Sequence, residues 1–397
     1  MSSVVPKVVI VKAIRTAIGS FGGSLKELEA SQLGAILIDH IIKTSDLEKD
    51  LISEVIMGQV YTAGCGLNPA RIASIKAGLP YSVPATTVNQ VCGSGLKSII
   101  MGTESILADE SKVVIAGGME SMSQTPFLVS GQRWGHKMGH LQMTDSIIKD
   151  GLSDPFHHCH MGITAENLAH QYKLSRQEQD EFACYSQQKY QQALRAGLFT
   201  NEIVPIEIPR KKNASVVFDR DEHPRAGVSI DSLARLKPSF QDDGTVTAGN
   251  SSGINDGASA VLMMTEDKAK QLGLEIMSAV KAYATVGVDP KYMGIGPVYA
   301  IRQLLTKVGS QLDKMDLFEL NEAFAAQSLA VIKELGLDWS KVNLNGGAIA
   351  LGHPLGASGA RITTTLLHLM KDRNLRLGIS SLCIGGGMGI AVLFERS

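Results

Sequence analysis

The sequence predicts a layered α/β fold built from two related halves with a long segment inserted between them. Three observations carry this expectation. Short β-branched runs alternate with helical stretches toward both ends of the chain, a series of motifs at one end recurs in order at the other, and the character of the sequence changes between about residues 121 and 249. Alternation of this kind marks strands and helices stacked in layers.

Taken in order, strands are expected at 8–11, 55–60, 86–91 and 113–115, with helices at 31–43 and 95–107. The last third repeats the manner: strands at 317–320, 342–344 and 380–384 alternate with helices at 322–335 and 357–371. The run EVIMGQ at 54–59 precedes Val88-Asn89, Cys92 and AGGM at 116–119, while DLFELN at 316–321 precedes Val342-Asn343, His353 and GGGM at 385–388. A duplicated domain explains that parallel, and two ordinary α/β units are the other reading. The expected organisation is an N-terminal half at 1–120, an insertion at 121–249 and a C-terminal half at 250–397. The insertion holds GQRWGHKMGH, a histidine cluster, a helix at 175–197 and the charged segment KPSFQDDGT. So long a stretch is expected to shape a substrate site over the catalytic loops.

Composition bounds the function. At 397 residues the chain exceeds what a single core usually organises, so two or more domains are expected. Lys and Arg number 38 against 39 Asp and Glu, a net charge of −1, which removes the electrostatic case for nucleic acid as main partner. Hydrophobic content of 44% with 40 glycines fits an enzyme-like globule with many tight backbone passages. Cysteines 65, 92, 159, 184 and 383 form no CxxC pair, so neither a zinc site nor a dithiol motif is expected and a reducing compartment is. The N-terminus runs at once into a strand-like segment, the chain ends in ERS, and no apolar run is long enough to span a bilayer. A cytoplasmic protein without membrane attachment is the expectation.

Three reactive groups sit in glycine-rich frames, where backbone can approach a ligand closely. Cys92, in VCGSGLK, follows a β-like run and opens a helical one, so free N–H groups and the helix dipole would lower its pKa, and Gly93, Ser94 and Gly95 would leave room for an acyl group. A buried cysteine filling a strand end is the alternative. His353, in GHPLGASG, stands where proline fixes the backbone and glycines open space, so its imidazole can take a thiol's proton; a satisfied surface histidine is the bland reading. Cys383 ends a strand before Ile384-Gly385-Gly386-Gly387, and the Gly385 N–H can serve as an oxyanion donor; the spacing is not the GxGxxG of a dinucleotide site.

Asn321 follows an apolar strand and heads NEAFA. Its amide either caps the helix or holds a water toward a carbonyl oxygen, while Glu322 favours the helix dipole. His157, His158 and His160 with Cys159 lack a spacing that aims three ligands at one ion, so no metal is expected, and His160-Met161 reads better as a pocket wall.

Together NQVCGSG at 89–95, NEAFA at 321–325, GGAIALGHPLGASG at 346–359 and CIGGGMG at 383–389 resemble the thiolases, specifically their cytosolic-type acetyl-CoA acetyltransferase branch. The likeness runs from Val8 to Phe394. It implies a thiolase-like duplicated five-layer α-β-α-β-α fold with an inserted loop domain. It also implies a reversible Claisen condensation of two acetyl-CoA to acetoacetyl-CoA plus CoA, in which Cys92 carries the acetyl group, His353 takes the thiol proton and Cys383 deprotonates the second acetyl-CoA. Asn321 would hold a water and, with His353, meet the enolate oxygen; the N–H groups of Cys92 and Gly385 would meet the oxyanion at acetyl-Cys92. By the same resemblance Arg225, Ser232 and Ser252 contact CoA, and His160, Met161, Met293 and Phe324 line the pantetheine and acyl end. CoA is then substrate and product rather than a resident cofactor, and the assembly implied is a homotetramer tethered near residues 126–143. Met293-Gly294 stands where potassium-activated members carry Phe-Pro, which argues against potassium dependence. A broader-chain 3-ketoacyl-CoA thiolase, a noncatalytic CoA or lipid carrier and a cysteine hydrolase are the competing readings.

Overall fold

Val9 and Val11 face one side of the first strand and Val8 and Ile10 the other, and all four are buried. That is the pattern of a strand sandwiched between helical layers. The computed structural model describes residues 6–109, 111–209 and 215–396. Its first half runs β1 (Val8–Thr16), α1 (Ala30–Thr44), β2 (Glu54–Gly58), α2 (Pro69–Lys76), β3 (Ala85–Val88), α3 (Ser94–Ala108) and β4 (Val114–Ser121). The insertion contributes α4 (Met161–Tyr172) and α5 (Arg176–Arg195). The chain then continues through β5 (Asn255–Thr265), β6 (Ser278–Gly287), α6 (Gly296–Val308), β7 (Leu317–Leu320), α7 (Ala325–Leu335), α8 (Leu355–Asp372), β8 (Leu377–Ile384) and β9 (Met388–Glu395).

Hydrogen bonding joins the strands in the order β7-β8-β9-β6-β1-β5-β4-β2-β3. The halves meet where β1 pairs antiparallel with β6, Val9 opposite Ala279 and Ile10 opposite Ser278. On either side of that seam the topology repeats. β2 and β4 are parallel, as are β7 and β8, and in each half the next neighbours, β5 and β9, run antiparallel. The counterpart of β3 shrinks to one parallel bridge between Phe318 and Val342, so no strand forms at 342–344. Two details of the sequence parallel change. AGGM at 116–119 lies inside β4, whereas GGGM at 385–388 is the turn into β9. Further, β5 returns to lie between β1 and β4, so residues 255–265 complete the sheet of the first half, expected at 1–120, instead of opening the second half expected from 250.

Five layers follow from which face each side chain covers. α1 and α2 pack on Val9, Val11, Val55, Met57 and Ile115. α3 and α8 fill the middle, with Leu96, Ile99 and Leu366 against Ile10, Ile56 and Val114 from one half-sheet and Leu382, Ile390 and Val392 from the other. α6 and α7 cover the far face over Ile379, Ala391 and Leu393. Burying one such side chain contributes about 1.5–3 kcal/mol. The two central helices meet through glycine: a Cβ on Gly359 would stand 2.2 Å from Leu96 N, and one on Gly95 2.8 Å from Ala360 N. Only the lack of a side chain admits that approach.

The insertion is anchored at several points. Arg15 on β1 is buried and bonds Glu202 at 2.6 Å and Asp221 at 2.6 and 3.0 Å. A capping box between Ser175 and Glu178 starts α5, which packs on α6's neighbour α7 and on the turn Ala348–Leu351. α4 packs on α7 and on Pro290–Ile295. Part of the insertion therefore caps the second half. Among the described residues no helix is long and apolar enough to cross a membrane.

Candidate active site

Between β3 and α3 the chain makes a tight turn that carries Cys92. Asn89 Oδ1 accepts the Val91 N–H at 2.9 Å, and Ser94 Oγ accepts the Gln90 N–H at 2.8 Å while donating to Val91 O at 2.6 Å. These bonds hold Val91 at φ +46, a left-handed conformation that a β-branched residue rarely adopts. α3 begins at Ser94 with Gly93 as its N-cap, so Cys92 precedes the helix instead of opening it. The thiol packs against the cluster of Val60, Tyr61, Met122, Ile147 and Leu355. Burial pushes it up to about 11, against the pull of the Gly385 N–H and its own N–H. The expected lowering by the helix is thus outweighed by desolvation. Gly93 and Gly95 do not clear space for an acyl group: a Cβ on Gly93 would meet Ile384, and Gly95 faces α8.

His353 stands just before α8 and is 4% exposed, so it is not a surface histidine. Asn255 Oδ1 accepts its backbone N–H at 2.9 Å; its Nδ1 lies 2.6 Å from Ser358 Oγ and its Nε2 lies 3.3 Å from Asn321 Nδ2. Burial, reinforced by the Arg361 charge, lowers its pKa to about 3, so the ring is neutral at rest.

Asn321 follows β7, and its N–H donates to Ser381 O at 3.0 Å. α7 begins only at Ala325 with Phe324 as its N-cap, which overturns the capping role for Asn321. Its Oδ1 is buried and has no partner among the described residues. Glu322 does not serve the helix dipole either. Its carboxylate accepts from Ser186 Oγ at 2.7 Å, Asn343 Nδ2 at 2.8 Å and the Ile349 N–H at 3.2 Å, tying the insertion to two loops of the second half.

Cys383 is the penultimate residue of β8 and fully buried. Burial, then the charge of Cys92, hold its thiol well above the ordinary cysteine range. Glu120 keeps the surrounding loops in place: Val60, Tyr61 and Gly356 donate their N–H groups to its carboxylate at 3.0, 3.2 and 2.8 Å.

One wall near these groups is apolar and aromatic. A Cβ on Gly385 would be 3.5 Å from both Met161 Sδ and Val91 Cγ1, which places Met161 beside that glycine. Met161, Met293 and Phe324 are buried in one cluster, and Phe240 packs against it. The His160 ring stacks on Phe240 at 4.6 Å, and Phe240 meets Phe324 edge-on at 6.1 Å. His160 Nδ1 accepts the Gly162 N–H at 3.0 Å. Sequence reasoning missed Phe240, a lone aromatic in a polar loop, as well as Asn255 and Ser358.

The three polar candidates are placed differently. Ser252 donates its N–H to Ala323 O at 3.0 Å, next to Phe324. Ser232 Oγ accepts the Ser229 N–H at 3.0 Å and donates to Ser229 O at 2.7 Å, inside a short cap. Arg225 is exposed, its N–H donating to Gln187 at 3.0 Å, and no hydrogen bond among the described residues joins Arg225 or Ser232 to the catalytic candidates. In the histidine cluster His157 Nδ1 lies 2.9 Å from Asp154 Oδ2, and among the described residues no three His, Cys, Asp or Glu side chains converge as for a metal.

Known proteins resemble this chain along nearly its whole length. The model of the thiolase N-terminal domain matches residues 8–267 and that of the thiolase C-terminal domain residues 274–396. An acetyl-CoA acetyltransferase of Pseudomonas aeruginosa is 55% identical over 98% of this chain and 99% of its own length. A probable acetyl-CoA acyltransferase of Staphylococcus aureus is 55% identical over the same shares. The solved Bacillus anthracis acetyl-CoA acetyltransferase superposes with a TM-score of 0.97 at 45% identity, covering 99% of this chain and 100% of that one. Human mitochondrial 3-ketoacyl-CoA thiolase in complex with CoA gives 0.94 at 43% identity over 99% and 98%.

Proposed function

The chain belongs to the thiolase family, and from that membership we propose that it is an acetyl-CoA C-acetyltransferase, condensing two acetyl-CoA to acetoacetyl-CoA plus CoA through an acetyl-Cys92 intermediate. The observation that carries the reading is the nearness of two thiols, with Cys383 raised by the charge of Cys92, in a site where Asn321 touches a neutral, buried imidazole.

The chemistry follows in two halves. Cys92 attacks the thioester carbon of the first acetyl-CoA while its proton passes to His353; the tetrahedral oxyanion meets the N–H groups of Cys92 and Gly385, both already directed at that sulfur. CoA leaves as the thiol, taking the proton of Cys383, so that Cys383 becomes a thiolate while His353 keeps the Cys92 proton. In the second half Cys383 removes a proton from the methyl of a second acetyl-CoA. The enolate oxygen accepts from the proton His353 still holds at Nε2 and from a water on Asn321, whose Oδ1, unpartnered among the described residues, has a hydrogen-bonding site to offer. The carbanion attacks acetyl-Cys92, the Cys92 sulfur leaves and takes back the proton held by His353, and Cys383 keeps the methyl proton, which restores the resting state.

Substrate length is set by Met161 beside Gly385 and by Met293 and Phe324 in the same buried cluster, whose bulk favours an acetoacetyl group over longer 3-ketoacyl chains. The similarity to human mitochondrial 3-ketoacyl-CoA thiolase keeps a broader-chain enzyme as the second reading. CoA itself is assigned to Arg225, Ser232 and Ser252 at the outer end, and no resident cofactor or metal is assigned. Trp134 and Met138, 89% and 91% exposed, and Met143, 70% exposed, lie on or beside the segment assigned to tether a homotetramer. A cytoplasmic location is part of the same reading.

Thiolysis of acetoacetyl-CoA by the wild type, Cys92→Ala and Cys383→Ala tests the proposal. Equal rates in all three would end it, as would failure of labelled acetyl-CoA to acetylate Cys92, the outcome a noncatalytic carrier predicts. Comparable kcat/KM on a long-chain 3-ketoacyl-CoA would favour the second reading. Sedimentation of Trp134→Ser/Met138→Ser as dimers against a tetrameric wild type tests the assembly.

A further inference from the structure

We infer that Ser358 is a positioning residue that fixes which ring nitrogen of His353 carries the proton. Ser358 lies in the first turn of α8, 1% exposed, with Oγ 2.9 Å from Pro354 O and 2.6 Å from His353 Nδ1. A serine hydroxyl has one hydrogen. Given to Pro354 O, it leaves Oγ to present a lone pair to the ring, and Nδ1 must then hold a proton. On the other side of the ring the Asn321 amide nitrogen, which can only donate, lies 3.3 Å from Nε2 and so calls for a lone pair there. Both neighbours ask for the same tautomer, Nδ1–H with Nε2 bare. The backbone bond from His353 N–H to Asn255 holds the residue still between them.

This inference rests on the proposed function, in which Nε2 receives the Cys92 proton. The opposite arrangement, with Ser358 donating to Nδ1 and a proton already on Nε2, would leave the imidazole unable to accept from the thiol. A neutral ring gains nothing from being close if its basic nitrogen faces the wrong way. The step needs no outside partner. The S–H bond of Cys92 breaks as an N–H bond forms at Nε2, and Ser358 Oγ goes on accepting from Nδ1–H as the ring becomes positive.

The test is nitrogen NMR on protein labelled with ¹⁵N-histidine, with His353 assigned by the signals lost in His353→Asn, together with single-turnover acetylation of Cys92 in the wild type, Ser358→Ala and Ser358→Thr. The expected result is Nδ1–H with bare Nε2 in the wild type. In Ser358→Ala the two ring signals move toward each other and acetylation slows about tenfold or more, with substrate KM and melting temperature little changed. Ser358→Thr, which keeps the hydroxyl, restores the tautomer and much of the rate. A proton on Nε2 in the wild type, or a Ser358→Ala protein with unaltered tautomer and rate, overturns the assignment. Should Ser358→Ala fail to fold, the wild-type spectrum decides alone. Should the wild type never acetylate Cys92, the proposed function fails, while the spectrum still reports the tautomer separately.

Discussion

Asn321 and His353 meet with 3.3 Å between amide Nδ2 and ring Nε2, and both side chains are buried. Among the described residues the amide's oxygen has no partner, and this contact is the one side-chain bond Asn321 makes.

Little stability therefore depends on the Asn321 side chain. Asn321→Ala is expected to lower kcat for acetoacetyl-CoA thiolysis by ~10²–10³, the usual cost of one oxyanion donor, while the melting temperature stays within a few degrees. A parallel fall in both would mean that the residue is structural.

The resting Cys92–His353 pair is expected to be neutral, since burial raises the thiol to about 11 and lowers the imidazole to about 3. Alkylation of Cys92 by iodoacetamide should then climb roughly tenfold per pH unit between about pH 7 and 10. A plateau already reached near neutrality would reveal a thiolate–imidazolium pair instead.

His223 is mostly buried, and burial followed by the Arg225 charge lowers its pKa from 6.5 to about 4. Because the folded value is the depressed one, the neutral ring's contribution is fully present above about 6.5 and is lost as the pH falls toward about 4, with an upper size of roughly 3 kcal/mol. Unfolding of His223→Asn, followed across that window, should show a shallower acid loss than the wild type; identical curves would remove this histidine as a cause.

Met161 stands beside Gly385, so Met161→Ala should admit a longer acyl chain. The ratio of kcat/KM for a six-carbon 3-ketoacyl-CoA to that for acetoacetyl-CoA is expected to rise about tenfold or more. No change in the ratio would move the length gauge elsewhere.

Gly359→Ala would drive a methyl group into the backbone of α3, 2.2 Å from Leu96 N. A loss of about 3 kcal/mol in denaturant unfolding is expected; a stability equal to wild type would contradict the tight crossing.

Much of this was legible in the residues. The β-branched runs marked the strands because both of their faces are buried, the three glycine-framed motifs pointed to Cys92, His353 and Cys383 because reactive groups need open backbone around them, and NEAFA pointed to Asn321. Other features were hidden for physical reasons. The start of α7 was placed three residues early, since Asn321-Glu322 is a good helix-opening pair and only the tertiary bonds of Glu322 to Ser186, Asn343 and Ile349 pull it elsewhere. Gly95 and Gly359 looked like clearance for a ligand, but their role depends on two helices more than 250 residues apart in sequence coming into contact. Phe240 has no periodic neighbours to announce it, and its partner His160 lies at the far side of the insertion.

Where α3 and α8 cross, their spacing is set by main chain against main chain. Cys92 and His353 each stand just ahead of one of those two helices, so the main-chain contact helps fix how far apart they lie. The wall beside Gly385 is different, because His160, Met161 and Phe240 all come from the insertion. Met293 and Phe324 join that wall from the second half, so exchanging the insertion would renew only one side of the acyl pocket while the bond-forming step is inherited unchanged.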